Sequence, residues 1–354
     1  MPLVGNAGKL LFEVLGEAMP DVEPELHAEI RASFRYDLAW VRRRHEWLEA
    51  AGVGKTNVLA FQPPQNKLDF VGLPKGEPGA MTHLPPFRRS PSMLYLDSRY
   101  APELDRLRVE IEETRPNLIV CLGNMACWAV LQATNISSIR GTIAHGAGAY
   151  RAFKCLPTYH PAAIFRMWSW RPILVADLMK AHLEGQFPQV VRPQRSVLVN
   201  PTLGEIETIV RKLEAAPPDL LSADIETGAG QIKCISFAWS ISESLCIPFV
   251  DLRQRTGCYW PTLEDELLAW SYVRRLLALP CAKLGQNFIY DLQYITRMGI
   301  LPAQCTEDTM LLHHSLYPEL QKGLGFLASI YSNEASWKLM NRRKTADVGV
   351  KADE

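Results

Sequence analysis

Leu220-Leu221-Ser222-Ala223-Asp224-Ile225-Glu226-Thr227-Gly228 is the stretch from which the rest of the chain is read. An apolar pair runs into alternating apolar and acidic residues and stops at glycine, the pattern of a strand. Side chains alternate faces along a strand, so Asp224 and Glu226 point the same way, two residues apart. Two neighbouring carboxylates repel each other and are costly to desolvate. For such hard oxygen ligands a Mg²⁺ or Mn²⁺ ion is the natural counter-charge. A strand end whose acids simply face water is the competing reading of the pair alone.

The flanking segments give this strand its neighbours. Residues 201–216 are amphipathic, with Thr202 near the start, and predict a helix. Residues 232–240 and 245–251 read as antiparallel strands, the first reached through the turn at Gly228 and Gly230. A long helix over residues 263–279 follows, with Trp270 and its leucines directed at the sheet. Residues 282–292 read as a short strand entering a helix that Asn287 is placed to cap, with Asp291 one turn in. Glu307-Asp308-Thr309-Met310 opens another helix, with Asp308 as its cap, and Lys322-Gly323-Leu324-Gly325-Phe326 a third. This order predicts a ribonuclease H-like fold.

Four of these segments also stand in the order of one family's motifs: Asp224-Ile225-Glu226-Thr227, Asn287 to Asp291, Asp308-Thr309-Met310-Leu311, and the run from Lys322 to Tyr331. Over roughly residues 195–354 the chain resembles the 3′–5′ exonuclease (proofreading) domain of family A DNA polymerases, especially phage ones. The resemblance implies hydrolysis at the 3′ end of single-stranded DNA by two Mg²⁺ or Mn²⁺ ions about 4 Å apart. It implies that Asp224 bridges both ions, Glu226 holds the ion on the water side and Asp291 reaches the second. Thr227 and Asn287 then belong to the nucleic-acid contact, and Gly228 leaves room for the terminal nucleotide. The family has one more carboxylate, in a Tyr-x-x-x-Asp motif on a later helix. The sequence ends, at Lys351-Ala352-Asp353-Glu354, where that helix is expected. A separate polymerase chain supplying it is the partner this implies.

A different pattern holds in the first half. Pro2-Leu3-Val4-Gly5-Asn6-Ala7-Gly8 precedes an apolar-periodic helix, and Lys55-Thr56-Asn57-Val58-Leu59-Ala60 predicts a strand leading to Gln62-Pro63-Pro64-Gln65-Asn66. Residues 70–95 are rich in Pro and Gly, the mark of an irregular surface segment. Residues 104–113 have helical spacing, 117–123 form a continuous apolar run of the buried-strand type, and 124–131 a further helix. Arg140-Gly141 and Pro157-Thr158-Tyr159-His160-Pro161-Ala162-Ala163-Ile164 follow. Strands alternating with helices predict an α/β layer fold with a mainly parallel sheet.

Taken in order, these motifs resemble the uracil-DNA glycosylase superfamily, most of all its family 4, over residues 1 to about 185. The resemblance implies a glycosylase-like three-layer α/β/α domain in which Asn57 reads an extruded uracil through its amide. It implies that His160 stabilises the departing base. There are departures as well. The family's water-activating Gly-Glu-x-Pro-Gly loop would precede residue 1, and Leu3 stands where the family places a stacking Phe. Its iron–sulfur cysteines are missing, with Phe61 at the position of one. The expectation is a glycosylase-shaped domain with no iron–sulfur cluster and no glycosylase chemistry.

At 354 residues two domains are expected, residues 1–188 and 201–354, joined by a linker over 189–200. A hydrophobic content of 47% with 21% charged residues suits a globular protein, and no apolar run approaches a membrane span. With no signal pattern at the N-terminus, a cytoplasmic protein without membrane partners is expected. The eight cysteines contain no Cys-x-x-Cys pair and read as free thiols. Net charge is zero, which argues against a purely electrostatic DNA binder. Basic clusters at Arg42-Arg43-Arg44, Arg88-Arg89 and Arg342-Arg343-Lys344 leave room for local contacts. The alternative function is a catalytically silent DNA-binding accessory of a replisome or split polymerase.

Overall fold

In the computed structural model, residues 6–32, 38–61, 67–88 and 92–334 are described. They belong to two units, one of Met1–Val191 with Gly325–Glu354 and one of Arg192–Leu324. Leu3, the Gln62–Asn66 run and the basic cluster at 342–344 lie outside the described residues.

The first unit opens with helices α1 (Asn6–Ala18), α2 (Pro24–Ala32) and α3 (Leu38–Ala50). Trp47 of α3 is buried, and its indole N–H donates to the Val22 carbonyl at 2.9 Å. A two-stranded antiparallel ribbon, β1 (Gly72–Pro74) with β2 (Leu94–Leu96), occupies the Pro- and Gly-rich segment. Then come α4 (Ala101–Thr114), β3 (Ile119–Leu122), α5 (Asn124–Leu131), α6 (Ile136–Ile139), β4 (Ala144–His145), β5 (Lys154–Thr158), α7 (Pro161–Ile164) and α8 (Arg171–Glu184). Alternation along β3 and β5 sorts their side chains between two layers. Cys121 and Cys155 pack with Leu107 and Ile111 of α4 and Cys127 and Val130 of α5. Leu156 packs on the other face with Ile143 and Ala181 of α8. The result is the expected α/β/α arrangement.

Two details depart from the sequence reading. The sheet has order β3-β5-β4, with β3 parallel to β5 but β4 antiparallel, so it is not mainly parallel among the described residues. Residues 55–60 form no strand. Side chains of α4 hold that segment in place of a ladder: Arg106 Nη2 donates to the Asn57 carbonyl at 2.6 Å, and Glu103 accepts from the Ala60 N–H at 2.7 Å.

The second unit is built as the alternation of residues 220–228 demands. Its elements are β6 (Ser196–Leu198), α9 (Leu203–Ala215), β7 (Leu220–Gly228), β8 (Gln231–Ala238), β9 (Glu243–Pro248), α10 (Leu263–Leu277), β10 (Ala282–Gly285), α11 (Phe288–Arg297), β11 (Glu307–Asp308) and α12 (Thr309–Leu316). Thr202 starts α9 through a reciprocal capping box with Glu205. The sheet runs β11-β10-β7-β8-β9-β6. Strands β7, β8 and β9 form an antiparallel meander, while β10 is parallel to β7 and β11 parallel to β10. This is a ribonuclease H-like sheet. Its buried face carries Ala223, Ile225, Ile235, Phe237, Leu245 and Ile247, packed with Ile206 and Val210 of α9 and Val273 and Leu276 of α10. Each fully buried Val, Leu, Ile or Phe among them contributes about 1.5–3 kcal/mol. Trp270 stacks on Phe249 at 3.9 Å, whereas Leu263, Leu267 and Leu268 of the same helix are exposed, so only its later turns face the core.

The last described helix, α13 (Leu324–Tyr331), returns the chain to the first unit from Gly325 onward. Arg140 binds Asp177 through both carboxylate oxygens and donates to Ser329 Oγ at 3.0 Å. Lys180 donates to the carbonyls of Ser329 and Ser332. The sequence reading carried the second domain to 354. These buried polar contacts, invisible to local pattern, assign residues 325–334 to the first unit. No helix among the described residues is long and apolar enough to cross a membrane.

Candidate active site

Strand β10 accompanies β7 only as far as Ser222, then turns at Gly285 towards α11. Beyond that point the β10 side of β7 has no ladder, and its backbone donors need other partners. Asp291, one turn into α11, supplies one. Its Oδ1 accepts from the Ile225 N–H at 2.9 Å, and the residue is only 3% exposed. Asp224 and Glu226 stand exposed on either side of Ile225, opposite Ser236 and Cys234 of β8. The three acids forecast from sequence thus meet at one end of β7. They meet at the carboxyl ends of the parallel strands, where α/β sheets commonly place their sites.

The electrostatics follow from this crowding. Burial pushes the Asp291 carboxyl up to about 6, with Asp224 and Asp308 adding to the rise and the Ile225 N–H opposing it. Asp224 is also raised, first by desolvation over the strand and then by Glu226. Asp308 accepts from Met310 N at 2.8 Å as the cap of α12, and from Asn287 N at 3.1 Å and Phe288 N at 2.8 Å at the start of α11. One carboxylate therefore serves two helix N-termini.

Asn287 differs from its forecast role. It occupies the cap position with a left-handed backbone, φ 56° and ψ 48°, and its side chain caps nothing. The sharp exit from β10 requires that conformation, which Asn tolerates better than most residues, and the capping passes to Asp308. Thr227 is tied to α11 by a 2.8 Å hydrogen bond between its Oγ1 and the Tyr290 hydroxyl. Gly228 is not open space. A Cβ there would fall 2.0 Å from Lys233 Cε, so the Lys233 side chain already lies over it. A register shift after Glu226 leaves Lys233 as the extra residue of a bulge, which re-aims its side chain. Tyr290 and Lys233 were missed in the sequence; the bulge that places Lys233 has no local signature there.

Three carboxylates are donors of the right kind for Mg²⁺ or Mn²⁺. Among the described residues, however, no three His, Cys, Asp or Glu side chains are gathered so as to hold an ion. The Ile225 N–H holds Oδ1 of Asp291, and its Oδ2 is left on the same side as Asp224 and Glu226. A groove of about 780 Å³ elsewhere in this unit, between Thr202, Arg253, Tyr259 and Asp265, includes none of the three acids.

In the first unit, His160 lies two residues past β5 and caps α7, its Nδ1 accepting from the Ala162 N–H at 3.1 Å. That bond assigns the proton of the neutral ring to Nε2. Burial, and then Arg166, lower its pKa, so the ring stays neutral near pH 7. Gly123, at φ 84°, brings the β3–α5 turn against it; a Cβ there would lie 2.9 Å from His160 Cβ. Asn57 is exposed, and the neighbouring Val58 is buried with Cys121 and Cys155 of the same sheet. The sheet thus anchors both the Asn57 loop and the His160 turn, but no hydrogen bond joins the two side chains.

Compared with known proteins, the chain has no match among the curated ones. Among solved structures it is similar to the crystal structure of the Aedes aegypti Nibbler EXO domain, at 12% identity and a TM-score of 0.32, over 46% of this chain and 82% of that one. Residues 1–181 match the model of the uracil DNA glycosylase superfamily. With more than half its length inside that match, the chain belongs to the uracil DNA glycosylase superfamily.

Proposed function

We propose that the second unit is a metal-dependent 3′–5′ exonuclease acting on single-stranded DNA, and that the glycosylase-like unit holds DNA without excising uracil. The observation that carries the reading is the convergence of Asp224, Glu226 and the buried Asp291 at one end of the central strand. In this reading Asp224 and Glu226 hold the Mg²⁺ or Mn²⁺ ion, which when bound activates water and offsets phosphate charge. The chain's own residues do the positioning. The Thr227–Tyr290 bond fixes the rim beside Glu226, and Lys233 brings a positive charge to the same end of the β7–β8 hairpin. A separate polymerase chain in a phage-type replication setting is the partner this reading assigns.

Digestion of a 5′-labelled single strand with Mn²⁺ tests it, run with the chain alone and with candidate polymerase chains. Stepwise shortening from the 3′ end is expected for the wild type and its loss for Asp224→Ala. Identical ladders from the two proteins overturn the reading. Release of free uracil from a uracil-containing strand would overturn the silent status of the first unit.

The second reading is a DNA-binding accessory without turnover. It is favoured by the engagement of Asp291 with Ile225 and the lack of a gathered three-donor group among the described residues. It is also favoured by exposed Phe165, Met167 and Trp168 in the first unit, with Arg166 among them and Arg171 just after. Exposed aromatics flanked by cations are a stacking platform for unpaired bases.

A further inference from the structure

The acid-bearing strand ends against a cation. Strands β7 and β8 are joined by a two-residue turn, Ala229 at φ 51° and Gly230 at φ 76°, the geometry of a tight hairpin. Just past that turn, Lys233 is the extra residue of the β8 bulge. Its carbonyl accepts from Phe249 N at 2.8 Å and from Val250 N at 3.1 Å, which pins the backbone. The side chain then crosses the hairpin. A Cβ built on Gly228 would lie 2.0 Å from Lys233 Cε and 2.3 Å from its Nζ. Gly228 stands two residues beyond Glu226 on β7, so it faces the same way as the acids, about 6–7 Å further along. The ammonium therefore lies on the acid-bearing face. Cys234, Ser236 and Cys246 of β8 and β9 share that face, and none of them is cationic.

Lys233 is half-buried, and among the described residues its Nζ has no hydrogen-bond or ion-pair partner. The buried lysines of this chain are all satisfied. Glu184 pairs with Lys154, the carbonyls of Gly141, Ser329 and Ser332 accept from Lys180, and those of Leu279, Cys281 and Ala303 from Lys283. Holding an ammonium away from water without an acceptor costs free energy, and the fold accepts that cost only beside the acids.

We propose that Lys233 is the phosphate-binding residue of the nuclease site. Its ammonium takes a non-bridging oxygen of the 3′-terminal phosphodiester of a single DNA strand. The inference rests on the nuclease reading and deepens it. Asp224 and Glu226 by themselves repel a phosphate, and a fixed ammonium one strand repeat away offsets that repulsion. A lysine ammonium is a compact point charge suited to phosphate oxygens, and one already aimed at the substrate needs no reorganisation when the charge arrives. One strand repeat is a distance that a single phosphate spans, so the acid pair and the ammonium over Gly228 serve the same group. Gly228 is needed for this, because any side chain there would displace the lysine. The glycine expected to leave room for a nucleotide leaves room for the cation that holds it.

The test measures binding of a 5′-fluorescein-labelled tetrathymidylate to the full chain by anisotropy, across a salt series and with Ca²⁺ in place of Mn²⁺. Lys233→Met is expected to weaken binding about tenfold. The slope of log affinity against log salt is expected to become shallower by about 0.7, the loss of one single-strand phosphate contact. Lys233→Arg is expected to restore most of the binding. Gly228→Ala keeps the lysine and the net charge but displaces the ammonium, and is expected to match Lys233→Met in affinity. Wild-type affinity and slope in Lys233→Met overturn the proposal, as does a wild type that binds no strand. It fails equally if Lys233→Arg is as weak as Lys233→Met, or if Gly228→Ala binds as wild type does. Shortening of the strand with Mn²⁺, followed in parallel, keeps the two readings apart. Cleavage by the wild type with normal binding by Lys233→Met removes this inference and leaves the nuclease. A changed slope without any cleavage removes the nuclease and leaves a phosphate contact at Lys233.

Discussion

Asp291 shows how one residue's meaning changes with its surroundings. In sequence it is an acid one turn into a helix; in the fold it is a buried carboxyl accepting from the central strand beside two more acids. Its pKa, about 6, lies above the ordinary carboxylate value. The folded state therefore binds this proton more tightly than the unfolded state. The associated stability is fully present below about pH 4 and is lost as pH rises through about 6. Asp291→Asn keeps an acceptor for Ile225 N–H and removes the charge. Without divalent ions, the variant is expected to be more stable than the wild type by about 1–3 kcal/mol at pH 7 and equal to it near pH 4. Urea denaturation in chelator at the two pH values measures this. A wild type as stable as the variant at pH 7 contradicts it.

At the scale of elements, Asp308 binds two helices that sequence treats as independent. The N-terminus of α11 lacks a side-chain cap of its own because Asn287 is spent on the left-handed turn. Asp308 caps α12 and meets the first donors of α11 with its two oxygens. Asp308→Ala is expected to cost about 1–3 kcal/mol, more than a single cap, while Asp308→Asn keeps part of the loss back. Chemical denaturation of the three proteins ranks them. An alanine variant indistinguishable from wild type would mean that the bonds to α11 contribute nothing. The same scale explains the loop at residues 55–60. Its apolar residues suit a strand, but the α4 side chains reach its backbone first.

For the whole molecule, charge balance sets how DNA can be held. Lys and Arg number 38, equal to Asp and Glu, so there is no general positive field to collect phosphates. Binding to single-stranded DNA should then depend on a few local cations and on stacking at Phe165 and Trp168. The expected plot of log affinity against log salt has a slope shallower than about −3, because few counterions are released. Trp168→Ala is expected to weaken binding by about 1–3 kcal/mol without changing that slope. Fluorescence anisotropy across a salt series gives both quantities. A steep slope with an unaffected Trp168→Ala would assign the binding to phosphate contacts instead.

By itself the sequence determined the α/β layers of both units, the strand carrying Asp224 and Glu226, and the helix carrying Asp291. Each rests on local periodicity or on motif order, which a linear chain displays directly. Only the tertiary structure decided that Asp308 caps α11, that Lys233 covers Gly228, that Cys234 and Cys246 face the acids, and that residues 325–334 join the first unit. The physical reasons are two: Asp308 and residues 325–334 answer backbone groups left without partners where strands and helices end, while Lys233 and the cysteines are placed by strand register and a bulge.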